Sequence, residues 1–353
     1  MNYYSIADDP MTEFNINHTD HETGDVEYNA VRNATGICDQ SHRGKIRMTG
    51  ADRQHFLHRV VTNDVQQLSV GEGVYACMLT PQGKIISDMT IYVREEDVLI
   101  DVEPEMATLL LETLEHYALI DDVKFDNITE QYGLIGVYGR KATISIRSLV
   151  GHTGELLPNE HIEVAWNGLP LTIVRSHRTG ETDYDIYVPA SSVIEVWKAL
   201  GNKKGDAFCV PIGSETLEGL RVEAGIPRCT SELDERTIPN ESVKDRAVSF
   251  TKGCYIGQEP VVMMEHRGRP NRLLTGLIIS GTSLPERNAV IQKDGQDAGW
   301  ITTAVHGRAI QGIIAFGFVR RRFKQLGELV GVTVDGRLVD AKVVDLPFNK
   351  TEQ

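Results

Sequence analysis

The chain has 353 residues, 41% hydrophobic and 24% charged, with 36 basic against 50 acidic side chains and a net charge of −14. That length exceeds one ordinary core and sets an expectation of two or three domains, while no stretch approaches the roughly 20 apolar residues of a membrane-spanning helix, so no membrane is expected. The acidic balance would repel a phosphate backbone, which excludes nucleic acid as an expected partner.

Residues 1 to about 26 are polar, acidic and aperiodic, and read as a flexible acidic arm in which His18 and His21 are solvated rather than metal ligands. Acids stand where a secretory leader would carry bases, and no continuous apolar segment follows, so the cytoplasm is the expected compartment. KIRMTG (45–50) alternates like a strand, and ADRQHFLHRVV then places Phe56, Leu57, Val60 and Val61 on one helical stripe. GVYACML, KIISDMTIYV and DVLIDV follow as short strands, parted by Pro81-Gln82-Gly83 and by Arg94-Glu95-Glu96-Asp97. Pro104 opens a second helix, with Met106, Leu110, Leu114 and Tyr117 near the 3.6 period, before Asp121-Asp122.

The same grammar returns between about 133 and 225 as a rough internal duplication: GLIGVYG a strand, ATISIRSLV a helix, IEVAWN, LTIVRS and YDIYVP strands, SSVIEVWKAL a helix. Ser214 as N-cap, Gly225 as C-cap and Pro227 beyond delimit the helix ETLEGLRVEAG. From about 273 onward the pattern is six short β-type runs in 81 residues, which predicts a small barrel or jelly roll.

Five cysteines (38, 77, 209, 229 and 254) are scattered without a C-x-x-C pair or a histidine at zinc-finger spacing, so neither a disulfide framework nor a metal site is expected. In TKGCYIGQEPVVMMEHRGRP (251–270), Cys254 lies between Gly253 and Gly257, with Lys252, Arg267, Arg269 and Arg272 close in sequence. Two of these cations within a few ångströms would favour the thiolate and make it reactive; a buried, inert thiol is the other reading. His266, Arg267 and Arg269 suit either a small dicarboxylate or a solvated face. RSHRTGETDYDIYVP (175–189) reads by spacing alone as a hairpin turn, although Glu181 or Asp185 could accept paired N–H bonds from an aminopyrimidine such as a pterin. Arg221 and Glu223 lie about 200° apart on one helix and cannot easily share a site, whereas Glu218 at i−3 can pair with Arg221.

Together these stretches resemble the folate-binding family that contains the glycine cleavage system T protein and the YgfZ proteins, over about residues 30–350. GICDQSHRGKIRMTGADRQHFLHRVVTNDV is similar to the family's opening strand and helix with its T-N-D-V signature, and TPQGKIISDMTIYV to the next hairpin. LRVEAGIPR resembles the T protein's arginine helix, GRLVDAKVVDLPF its closing strands, and KGCYIGQE (Lys252 to Glu259) the K-G-C-Y-x-G-Q-E signature of the YgfZ branch.

The resemblance implies an α+β fold class: two α/β lobes around a central channel holding tetrahydrofolate, plus a C-terminal β-barrel. The expected domains are the arm (1–26), a folate-binding N-terminal domain of two lobes (27–250), the signature loop (251–272) and the barrel (273–353). Tetrahydrofolate or a one-carbon derivative is the implied cofactor, bound by Glu181, Asp185, Arg221, Lys252, Tyr255 and Arg267, with Cys254 and Asp88 carrying chemistry. The T protein's acidic pair reads here as Ser87-Asp88, and its R-T-G-Y-T-G-E-D-G-F-E stretch carries His177, Arg178 and Asp185 in place of Gly, Tyr and Glu. The YgfZ signature therefore sets the leading expectation: a folate-binding factor supporting iron-sulfur cluster assembly or repair, with iron-sulfur enzymes or cluster-assembly proteins as partners. The alternative is a folate-dependent aminomethyltransferase or demethylase.

Overall fold

The computed structural model describes residues 20–151 and 153–348. In chain order these form α1 (Asp20–Asn33), β1 (Gly36–Asp39), β2 (Gly44–Thr49), α2 (Arg53–Val60), β3 (Gly73–Leu79), β4 (Ile85–Val93), β5 (Val98–Val102), α3 (Ala107–Tyr117), β6 (Lys124–Asn127) and β7 (Tyr132–Tyr138). Then come α4 (Ala142–Val150), β8 (His161–Trp166), β9 (Leu169–Ser176), β10 (Asp183–Pro189), α5 (Val193–Gly201), β11 (Val210–Pro211), α6 (Ser214–Glu223), α7 (Lys244–Ala247) and α8 (Gln258–His266). The C-terminal strands are β12 (Arg272–Ile279), β13 (Val290–Lys293), β14 (Gln296–Gly307), β15 (Gly312–Arg320), β16 (Leu329–Val334) and β17 (Arg337–Val344). Among the described residues no helix is long and apolar enough to cross a membrane.

The chain divides into two compact units, Met1–His42 with Thr129–Leu217 and Arg43–Ile128 with Glu218–Gln353. The first holds a six-stranded sheet in the order β11-β1-β7-β10-β9-β8, antiparallel except for the β1–β11 pair. Strand alternation sorts its side chains. Ile37, Ile135, Val137, Ile173, Ile186 and Val188 turn to Ile146, Val196 and Leu200 of α4 and α5. Cys38, Gly136 and Asp185 fall in register on the other face, as do Tyr138 and Asp183. Gly136 is needed there, because a Cβ would collide with the Tyr138 hydroxyl.

Two expectations change in this unit. GICD, read with the first lobe, is β1 and joins the sheet of the later segment, so the two lobes interleave in sequence. The stretch read as an arm to residue 26 already contains α1 from Asp20. Tertiary anchors hold that helix: the Glu27 carboxylate accepts from Gly213 N (3.0 Å) and Thr216 Oγ1 (2.5 Å), and Val31 is fully buried. Neither anchor is visible in local propensity. His18 lies outside the described residues.

The second unit combines a five-stranded antiparallel sheet, ordered β3-β4-β5-β2-β6, with a closed barrel, β12-β15-β14-β13-β16-β17. Phe56, Leu57 and Val60 of α2 and Leu110 and Leu114 of α3 cover Ile46, Met48, Met78, Met89, Ile91 and Ile100 on one sheet face. Each such side chain contributes roughly 1.5–3 kcal/mol on burial, so the helix-covered layer supplies most of the drive. Tyr75, Thr90, Asp101 and Lys45 lie in register on the opposite, polar face, beside the Cys77–Asp88 pair. In the barrel, Leu277, Ile291, Ile301, Val319, Val332 and Val343 fill the core, and the closed strand order decides between barrel and jelly roll. The expected signature loop also changes: Gly257 (φ 76°) turns the chain into α8, and a Cβ there would collide with the Thr80 carbonyl.

Candidate functional site

Asp88 sits on β4 opposite Cys77, on the sheet face that no helix of the apolar layer covers, and is 8% exposed. The Tyr75 hydroxyl donates to Asp88 Oδ2 at 2.8 Å. Burial first, and the charge of Glu103 second, push the Asp88 carboxyl up to about 6, against the pull of Tyr75 and Arg43. Ser87 pairs with Met78 of the apolar layer and is fully buried, its Oγ donating to the Asp88 carbonyl at 2.9 Å. The pleat thus presents only the second member of the expected acidic pair to the polar face.

One arginine braces this face, and a second is engaged within the segment after α6. Arg43 donates from Nε (2.9 Å) and Nη2 (2.5 Å) to Asp101 Oδ1 and from Nη1 to Glu103 (2.5 Å). Arg221, expected to bind a ligand, is 7% exposed; its fork is taken by Glu218 (2.9 and 2.7 Å), Glu232 (3.0 Å) and the Ile226 carbonyl (2.5 Å). Arg228 keeps more freedom: its side chain is 40% exposed, with Nη1 3.4 Å from Glu218. Sequence reasoning missed Arg228, Arg43 and Tyr75, although Arg228 closes the LRVEAGIPR stretch and Tyr75 lies in GVYACML.

In the first unit, Asp185 is fully buried and fully engaged. Tyr138 OH donates to Oδ1 (3.1 Å), and Arg178 donates to Oδ2 from Nε (2.7 Å) and Nη2 (2.6 Å). An aminopyrimidine would have to displace Arg178 to claim both oxygens, so the Arg178 and Asp185 replacements act as a mutual ion pair. Asp183 takes Thr179 N (2.7 Å), Thr179 Oγ1 (2.5 Å) and Arg178 N (2.8 Å), while burial raises its carboxyl to about 6. Glu181 follows Gly180 (φ 77°) and pairs with Arg32 (2.8 Å); its side chain is 17% exposed, which leaves it the accessible acid of this turn.

In the signature segment, Lys252 is 8% exposed and its ammonium donates to the carbonyls of His58, in the last turn of α2, and of Val61 (2.8 Å) and Asn63 (2.9 Å), just beyond it. It also stands 5.1 Å over the Tyr255 ring, and burial pushes it down to about 8. Lys252 therefore ties its segment to main-chain carbonyls at the C-terminal end of α2. Tyr255 is 6% exposed in the cluster of Leu79, Ile85 and Val261, and burial pushes its phenol up to about 12. Both residues, expected to hold a ligand, are committed inside the protein. Of the other cations expected near the sulfur, Arg272 pairs with Glu241 (3.0 Å) and covers Trp300, while Arg267 and Arg269 are exposed. Cys254 is exposed and the other four cysteines are buried.

The described residues include no group of three or more His, Cys, Asp or Glu side chains able to hold a metal ion. Residues 2–252 match the GCVT N-terminal domain and residues 272–350 the glycine cleavage T-protein C-terminal barrel domain. The chain belongs to the glycine cleavage T-protein family.

This T-protein-family chain is similar to an aminomethyltransferase of Bacillus subtilis, 30% identical over 92% of this chain and 90% of the relative. It is also similar to an aminomethyltransferase of Lysinibacillus sphaericus, 27% identical over 92% and 89%. The crystal structure of glycine cleavage system aminomethyltransferase T from Bartonella henselae shares its fold, with a TM-score of 0.83 at 22% identity, covering 92% of this chain and 88% of that one. Burial predicts which thiols of this family member a reagent can reach. An aromatic disulfide reagent at pH 8 should label one of its five cysteines quickly in the native protein and the remaining four only on unfolding. Loss of the fast phase in Cys254→Ser identifies the residue.

Proposed function

We propose that this protein is a tetrahydrofolate-dependent one-carbon transferase of the aminomethyltransferase type, with Asp88 as the acid that handles the folate amine. The observation that carries the reading is the state of that carboxyl: buried, raised to about 6, held at one oxygen by Tyr75, with no side chain of the described residues donating to the other. Such a group is ionised at neutral pH yet basic enough to accept a proton from, or align, a substrate amine. The donor set suits a reduced folate, which presents ring amines and a dicarboxylate tail. Asp88 answers an amine, and the partly exposed Arg228 guanidinium suits a carboxylate. Near full-length similarity to proteins called aminomethyltransferase supports the same reading. When bound, the folate would supply the one-carbon acceptor; the chain's own residues bind it, orient it and hold the proton at Asp88.

The test is turnover. Purified protein is mixed with tetrahydrofolate and a lipoyl-carried aminomethyl donor, and the folate-bound carbon is quantified. Turnover that persists in Cys254→Ala supports the transferase; no turnover together with no calorimetric heat at millimolar tetrahydrofolate removes it. Exposure of Cys254 within KGCYIGQE favours a second reading, a YgfZ-type factor for iron-sulfur enzymes or cluster-assembly proteins. It comes second because the relatives carry the transferase name. Under that reading, Cys254→Ala lowers the activity of cluster-dependent enzymes in cells.

A further inference from the structure

The T-N-D run at residues 62–64 has no part in the chemistry above, yet it is knotted to the strand behind Asp88. Thr62 Oγ1 donates to the Ala247 carbonyl (2.6 Å) and accepts from Cys77 N (2.9 Å). Asn63 Nδ2 donates to the carbonyls of Tyr75 (2.9 Å) and Arg246 (3.2 Å). These bonds stitch β3 to α7, and the Arg246 guanidinium stands 5.3 Å over the Tyr75 ring. The ring is therefore fixed through its main chain and its face, while its hydroxyl reaches Asp88 Oδ2 at 2.8 Å.

We propose that Tyr75, clamped by Asn63 and Arg246, is the positioning residue for Asp88, holding Oδ2 so that Oδ1 is presented to the substrate amine. This rests on the reading of Asp88 as the amine-handling acid. An aspartate terminal torsion is broad and two-fold, so a single fixed donor selects both the rotamer and the oxygen left over. Donation to a carboxylate also favours its ionised form. The other groups facing Asp88 are Cys77 from β3, Arg43 ahead of β2, Glu103 after β5 and Cys229 beyond α6. Burial and Glu103 oppose ionisation, Arg43 favours it, and Tyr75 is the one of these groups bonded directly to the carboxylate.

The experiment compares wild type with Tyr75→Phe in the full chain, with the urea midpoint as a check of folding. Carbon-13 carboxyl resonances follow Asp88 from pH 4 to 9, and transfer rates are taken over the same range. The wild-type midpoint is expected near 6. Tyr75→Phe should raise it by about one pH unit, with a roughly fivefold rate deficit at pH 6 that closes by pH 8.5 and little change in KM. Asn63→Ala should reproduce part of the shift while leaving the tyrosine in place. An Asp88 midpoint unmoved in Tyr75→Phe overturns the proposal, as does a rate loss of equal size at every pH. If the midpoint moves but wild type turns over no tetrahydrofolate, the positioning role stands and the transferase reading falls.

Discussion

Asp88→Asn is expected to lower one-carbon transfer about a thousandfold while making the folded protein more stable at pH 8. The sign follows from the carboxyl's environment. In the folded state it titrates at about 6, above the ordinary value near 3.9, so the folded protein binds this proton more tightly than the unfolded chain. Its contribution to stability is therefore complete below about pH 4 and is lost as pH rises through 6. At pH 8 the ionised, buried carboxylate costs roughly 1–3 kcal/mol, which the amide does not incur. Urea unfolding at pH 4, 6 and 8 checks this: the variant and wild type should coincide at pH 4 and separate progressively above it. A difference independent of pH would remove the buried-charge account, and undiminished turnover would remove Asp88 from the chemistry.

Arg221→Ala should be among the most destabilising single changes in the molecule, at about 3–5 kcal/mol, because it strands the buried carboxylate of Glu232 and leaves Glu218 only the longer pair with Arg228. Glu232 is 1% exposed and also accepts from Thr303 Oγ1 (2.5 Å), so the ion cluster joins the segment after α6 to the barrel strand β14. Denaturant midpoints measure the effect. If Arg221→Ala unfolds like wild type and loses only tetrahydrofolate binding, Arg221 is a ligand residue, as the sequence suggested. Arg228→Ala is the matched control, since its partly exposed guanidinium, 3.4 Å from Glu218, contributes less to folding than the buried Arg221.

Local pattern carried much of the architecture. The short β-type runs GVYACML and KIISDMTIYV, parted by Pro81-Gln82-Gly83, mark β3 and β4, and the 3.6 spacing of Leu110 and Leu114 marks α3. The assignment of GICD was not legible, since β1 finds its partners in Val137 and Val210, far along the chain. Site residues divide the same way. Asp88 was visible as an acid on a strand, but whether Lys252, Arg221 and Asp185 are available or already engaged depends on groups brought near by folding: three main-chain carbonyls, Glu232 and Arg178. Residue type announces a chemistry; the neighbours decide whether any of it is left over.

The interleaving of β1 has a consequence for how the chain is made. On a ribosome, the nascent segment from β2 to β6 can complete its own antiparallel sheet, since all five strands lie between Gly44 and Asn127. Gly36–Asp39 emerges earlier but must wait for Val210 before both its edges are paired. At ordinary elongation speeds that interval is on the order of ten seconds, with an apolar strand open to any passing edge. A transcript truncated before β11 would leave that edge permanently unsatisfied, and such a fragment is expected to depend on chaperones or be degraded.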